Sequence, residues 1–128
     1  MTLTHYSPND RTDTVGSIGT YELAMLREML EQQRAFRLDQ LANFDSLGRR
    51  GRRAAGRPRT AADVEVERSL RDGAASALLE VERAITRMQD GSYGRCLTCE
   101  APLELERLEI LPHVALCMPC QRVRDDRP

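Results

Sequence analysis

The chain has 128 residues, a net charge of −1, 30% charged and only 4% aromatic residues, with no tryptophan. This length gives one domain, or a small domain with an elongated appendage, and so few large side chains exclude a thick globular core. Near-neutrality excludes a general polyanion binder, although the charge is unevenly spread.

Residues 1–19 are polar, broken by Pro8, Gly16 and Gly19. They lack a basic segment followed by an apolar one, so they read as a disordered tail and not as a signal peptide. No run approaches eighteen apolar residues, which argues against a membrane span. The expected compartment is the cytoplasm.

A helix is predicted from Tyr21 to Leu47. Leu23, Leu26 and Leu30 recur at steps of three and four, and Phe44 and Leu47 resume the phase. Gln33, Arg37 and Gln40 interrupt this stripe with polar groups. Gly48 supplies a stop signal. Then comes GRRGRRAAGRPRTAAD, residues 48–63, in which Arg49, Arg50, Arg52, Arg53, Arg57 and Arg59 meet no acid before Asp63. Residues 48–59 are expected to form a loop.

A second helix is predicted from Thr60 to Asp90, with Leu70, Ala74, Ala77, Val81, Ala84 and Met88 forming a stripe widened by Leu78 and Ile85. Thr60-x-x-Asp63, two residues after Pro58, reads as a capping box. Pairing Leu23 with Met88 sets Leu47 opposite Val64. The small residues Ala74, Ala75 and Ala77 then face the polar waist of the first helix and leave room for Phe36. The fold class is thus mainly α. An antiparallel coiled-coil hairpin about 40 Å long occupies residues 20–91, and a short connection favours a monomer over helices shared between chains.

Residues 92–128 form a separate module and tail. Cys96, Cys99, Cys117 and Cys120 make C-x2-C-x17-C-x2-C. Each C-x-x-C knuckle turns two thiolates to one side of a tetrahedron, and two knuckles complete a zinc site. A redox pair would need a βαβ context and would leave the second pair unexplained. One structural zinc is therefore expected, closed by four sulfurs, with no position for a reacting water. His113 reads as a surface residue and not a ligand. GSIG and GSYG are turn glycines rather than a phosphate loop, and Glu104, Glu106 and Glu109 suit a solvated face. No catalytic constellation is present, and the chain is not expected to be an enzyme.

These motifs in sequence carry a resemblance. A helical hairpin leading into DGSYGRCLTCE, then Arg107, Pro112 and Cys117 at their intervals, resembles the DksA/TraR zinc-finger family over about residues 60–121. The resemblance implies a transcription factor that binds RNA polymerase directly and inserts its hairpin in the secondary channel. It implies a functional tip with the motif D-x-x-D-x-A, whose place is taken here by Thr60-Ala61-Ala62-Asp63-Val64-Glu65, retaining only Asp63. Members responsive to guanosine tetraphosphate carry arginine where Leu111 stands and lysine where Gln121 stands, so this nucleotide is not an expected partner. The expected partner surface is the tip, comprising Asp63 and the six arginines. The alternative is a zinc module that binds nucleic acid or protein through the arginine-rich loop, without activity in the polymerase channel.

Overall fold

The computed structural model describes residues 18–54 and 59–126, with residues 47–54 as backbone only. Four helices follow one another: α1 (Thr20–Ala54), α2 (Ala61–Asp90), α3 (Leu105–Ile110) and α4 (Met118–Asp125). No strand occurs among the described residues, and one isolated antiparallel bridge joins Arg95 to Pro102. The architecture is the expected one, a mainly α hairpin standing on a four-cysteine module.

α1 and α2 are amphipathic, with their apolar positions at helical spacing, and pack antiparallel along their length. Arg34 pairs with Glu82 at 3.2 Å, and Arg71 pairs with Asp45. The second pair lies eleven residues on along α1 and eleven back along α2, or three turns and about 16 Å. One register therefore holds through the middle of the hairpin. Both pairs are exposed, so they contribute at most about 1 kcal/mol each.

α2 begins where the sequence says it should. Thr60 Oγ1 accepts from the Asp63 N–H at 3.0 Å, and Asp63 Oδ2 accepts from the Thr60 N–H at 3.0 Å, a reciprocal capping box. It ends at Gly91, whose φ of 85° is the left-handed conformation that glycine adopts without strain.

α1 departs from expectation at both ends. It does not stop at Gly48 but continues to Ala54. A glycine inside a helix costs about 1 kcal/mol relative to alanine, a penalty that flanking good helix formers such as arginine tolerate. The expected loop at 48–59 is thus helical over its first half. At the other end, Ile18, expected in the disordered tail, packs against the core, and the Gly19 carbonyl accepts from the Leu23 N–H at 2.9 Å. The rest of the expected disordered tail, residues 1–17, lies outside the described residues.

The core sits at the base of the hairpin. Leu26, Leu30, Val81, Ala84 and Ile85 from the helices pack with Tyr93, Cys96, Leu103, Leu108 and Leu116 from the module. Towards the tip, among the residues whose side chains are described, only Ala74 is also buried. Gln33, Arg37 and Gln40 are half-buried at the waist, as the polar interruption of the stripe implies, and Arg37 donates to Gln40 at 2.9 Å. Phe36 does not enter the space beside the alanines. It is 60% exposed, with the Arg37 guanidinium 5.4 Å from its ring centre. The half-buried residues of this stretch are Gln33, Arg37 and Gln40, and Phe36 falls beside their strip on the exposed side. Leu70 and Val64, assigned to the inner stripe, are likewise exposed at 57% and 41%.

Candidate metal centre

The chain leaves α2 through Gly91 and enters a tight turn. Gly94 has φ 93°, and a Cβ there would lie 2.9 Å from Ile18 Cδ1, so this turn needs a residue without a side chain. The Leu103 N–H then donates to the Gly94 carbonyl at 2.7 Å, and the Cys96 N–H to the Ala101 carbonyl at 2.9 Å. These bonds fold residues 94–103 into the first knuckle. Glu100 takes φ 65°, which allows its N–H to reach back to the Cys96 carbonyl at 2.9 Å.

The second knuckle is built differently, as the start of a helix. Cys117 is the N-cap of α4, with proline in the first turn, and Cys120 follows within that turn. The positive end of a helix favours thiolate. The two knuckles are tied together by the Leu97 N–H, which donates to the Ala115 carbonyl at 2.9 Å.

All four sulfurs come together, mutually within 4.8 Å. Cys99 and Cys117 Sγ stand 3.7 Å apart. A tetrahedron with zinc–sulfur bonds of about 2.3 Å has sulfurs about 3.8 Å apart, so the donor set fits zinc in both chemistry and spacing. Cys96 is buried in the hydrophobic core, while Cys99 is exposed. Burial pushes the Cys96 thiol up, but hydrogen bonds from the backbone of Cys99, Cys117 and Thr98 outweigh it and bring the thiol down to about 6. Cys120 is pushed up to about 12, first by its hydrogen bond with Cys117 and then by burial. As bare thiols the four cannot all ionise side by side. A divalent cation at their centre removes that conflict.

His113 is not among the four. Its Nε2 lies 4.0 Å from Glu80, and its buried Nδ1 has no hydrogen-bond partner. A latch that the sequence reading missed lies behind the site. The buried Tyr93 hydroxyl donates to the carbonyl of the fully buried Pro112 at 2.8 Å, joining the exit of α2 to the segment before the second knuckle. Burial pushes its phenol up to about 12. The one available signal was a lone tyrosine between two turn glycines.

The tip residues are at the opposite end of the hairpin. Asp63 is held in the capping box, and Arg59 pairs with Glu67. Arg49, Arg50, Arg52 and Arg53 belong to the last turns of α1, and Arg57 lies outside the described residues. The structure therefore assembles the zinc ligands and separates them from the expected partner surface. Among the described residues, no helix is long and apolar enough to cross a membrane.

Residues 91–126 match the prokaryotic DksA/TraR C4-type zinc finger. Among solved structures, the chain is similar to the transcription factor DksA2 from Pseudomonas aeruginosa, with a TM-score of 0.73 at 21% identity, over 87% of this chain and 88% of that one. No curated protein matches the sequence. A C4-type finger with its four cysteines clustered holds one structural zinc ion.

Proposed function

We propose that this chain is a transcription factor of the DksA/TraR type that regulates transcription by binding RNA polymerase directly, with its hairpin inserted in the secondary channel. The zinc-finger match over residues 91–126 and the DksA2-like fold support this reading. The observation that carries this reading is the shape of the hairpin. The core lies at one end of two helices of about 45 and 52 Å, which extend beyond it as a rod only two helices wide. Such a rod offers little enclosed surface for a small substrate and suits insertion into a passage.

In this reading Cys96, Cys99, Cys117 and Cys120 hold the zinc. The ion fastens the two knuckles, and the module built on them supplies half of the core on which the hairpin stands. With all four positions taken by sulfur, the metal has no site for water and the protein acts by binding, not by catalysis. The cytoplasm is its compartment, where thiols remain reduced.

The tip differs from the family's acidic pattern. Asp63 is engaged with Thr60 in starting α2, so its carboxylate has a structural role whatever it touches in a complex. The guanosine tetraphosphate edge differs too. Leu111 is 40% exposed where an arginine would pair with phosphate, Gln121 bonds to Asp125 at 3.0 Å, and Glu80 adds negative charge nearby beside His113.

A photo-crosslinking amino acid at Ala62, on the first turn of α2, tests insertion. The expected product joins the chain to the polymerase subunit that lines the secondary channel. Crosslinks confined to the polymerase's outer surface, with binding intact, would refute insertion.

A further inference from the structure

We infer that one flank of the hairpin is a self-complementary surface on which a second copy of this chain docks end over end, giving a weak, reversible dimer. On α1 this flank is Arg34, Leu38, Leu41 and Asp45; on α2 it is Arg71, Ala75, Leu78 and Glu82. Both sets advance by four, three and four residues, which keeps each on one face of its helix. The ion pairs Arg34–Glu82 and Arg71–Asp45 bracket the flank and fix its register, so Leu38 lies level with Leu78 and Leu41 with Ala75. Leu38 is 42% exposed, Ala75 is exposed, and Leu41 and Leu78 are half-buried. None of the four belongs to the core at the base. Between two exposed ion pairs the hairpin thus carries an apolar strip that its own packing leaves partly open.

The pattern of charge says what covers it. Towards the base, the α1 side is positive and the α2 side negative; towards the tip, the signs are exchanged. Turning a second copy end over end, about an axis across both helices, sets each helix antiparallel on its counterpart. Arg34 then meets Asp45 of the second copy, and Arg71 meets Glu82. Leu38 meets Leu41, and Leu78 meets the small Ala75. Every contact occurs twice, so the arrangement closes at two copies. Opposite charges across such an interface fix its register more than they add affinity. A parallel pair would match the same charges, but it would bring together Arg49, Arg50, Arg52 and Arg53, on the last turns of α1, from both copies. The antiparallel pair keeps these like charges at opposite ends.

Each hairpin remains intramolecular, and two whole hairpins meet. The strip is about 16 Å long and about 20 Å wide, or about 300 Å2 on each copy. Specific stable interfaces bury about 800 Å2 per partner, so a dissociation constant on the order of 100 µM is expected. On the function proposed above, a dimer two helices wide and two thick cannot enter a passage that admits the single rod, and pairing competes with insertion. That consequence rests on the channel reading; the pairing itself does not.

The test is sedimentation equilibrium of the full-length zinc-loaded protein, without polymerase and under reducing conditions, from about 10 µM to about 1 mM. The mean mass should rise from 14.5 kDa towards twice that value and no further. Exchanging one pair, Arg34→Glu with Glu82→Arg, keeps an ion pair within each hairpin but sets like charges against each other across the antiparallel dimer. It should weaken pairing at least about tenfold. Exchanging the other pair as well, Asp45→Arg with Arg71→Asp, restores opposite charges across the interface and should restore pairing. Leu38→Glu puts a good helix former at an exposed position and should also weaken pairing at least about tenfold, with circular dichroism and zinc content unchanged. No rise in mass at about 1 mM, growth beyond the dimer, or a Leu38→Glu chain that pairs like the native one would overturn the inference. So would a single exchange that pairs like the native chain, which marks a parallel arrangement, or a double exchange that pairs no better than the single one.

Discussion

Removing zinc should unfold far more than the zinc module. The ion's apparent binding free energy is on the order of 10–16 kcal/mol, comparable to or larger than the whole net stability of a domain, about 5–15 kcal/mol. Without it, Tyr93, Cys96, Leu103, Leu108 and Leu116 lose the scaffold that holds them against Leu26, Leu30, Val81, Ala84 and Ile85. Beyond that cluster the described side chains of the hairpin bury only Ala74, which cannot replace it. α3 and α4 contain 14 of the 79 residues in helices, so collapse of the module alone would remove about a fifth of the helical signal. The shared core predicts a loss of at least about half, since isolated helices are marginal in water without tertiary packing. The assay is circular dichroism at 222 nm during chelation under reducing conditions, followed by return of zinc. A loss that stops at about a fifth would show that the hairpin stands alone, and would refute the reasoning.

Tyr93→Phe removes the latch to Pro112 and leaves a buried carbonyl without its donor, a cost of about 1–3 kcal/mol measurable by thermal or urea unfolding. The native phenol ionises at about 12 when folded and about 10 when unfolded. The folded state therefore retains its proton longer, and stability falls as pH rises from about 10 to about 12; the phenylalanine variant should lack that part of the decline. At the tip, reversing Arg52 and Arg53 to glutamate should weaken partner binding more than Asp63→Asn, which should cost about 1 kcal/mol or less of helix stability. A transcription assay in which Asp63→Asn is inactive with folding and binding intact, while the arginine reversals are silent, would reverse that order. Isothermal titration with guanosine tetraphosphate should give no saturable heat at micromolar concentrations; binding abolished by substitutions at Leu111 or Gln121 would contradict this.

The parts legible in the sequence are those fixed by local chemistry. The Thr60–Asp63 box needs only a hydroxyl and a carboxylate three residues apart. Gly91 stops α2 by the same kind of local rule, and the cysteine spacing dictates two knuckles. Gly48 misled because a glycine ends a helix only when the chain turns there, and α1 continues through it. Phe36 misled because a helical stripe fixes phase but not width, and the half-buried Arg37 and Gln40 occupy the strip beside the alanines. The stripes also suggest a hairpin with its own core from end to end. The actual core is shared with a module more than sixty residues from Leu26 and Leu30 in sequence, and no periodicity reports such a contact. The contact of Tyr93 with Pro112, nineteen residues apart, has no recurrent pattern to report it either, and only the place of Tyr93 between two turn glycines marks it.

Binding to RNA polymerase is the central claim, and a pulldown of purified core polymerase by the zinc-loaded protein tests it most directly. The account predicts stoichiometric capture at moderate salt that survives a further rise in salt, because a packed protein interface depends less on salt than contacts to nucleic-acid phosphate do. Absence of capture at moderate salt, with zinc bound and the helical signal intact, would contradict it.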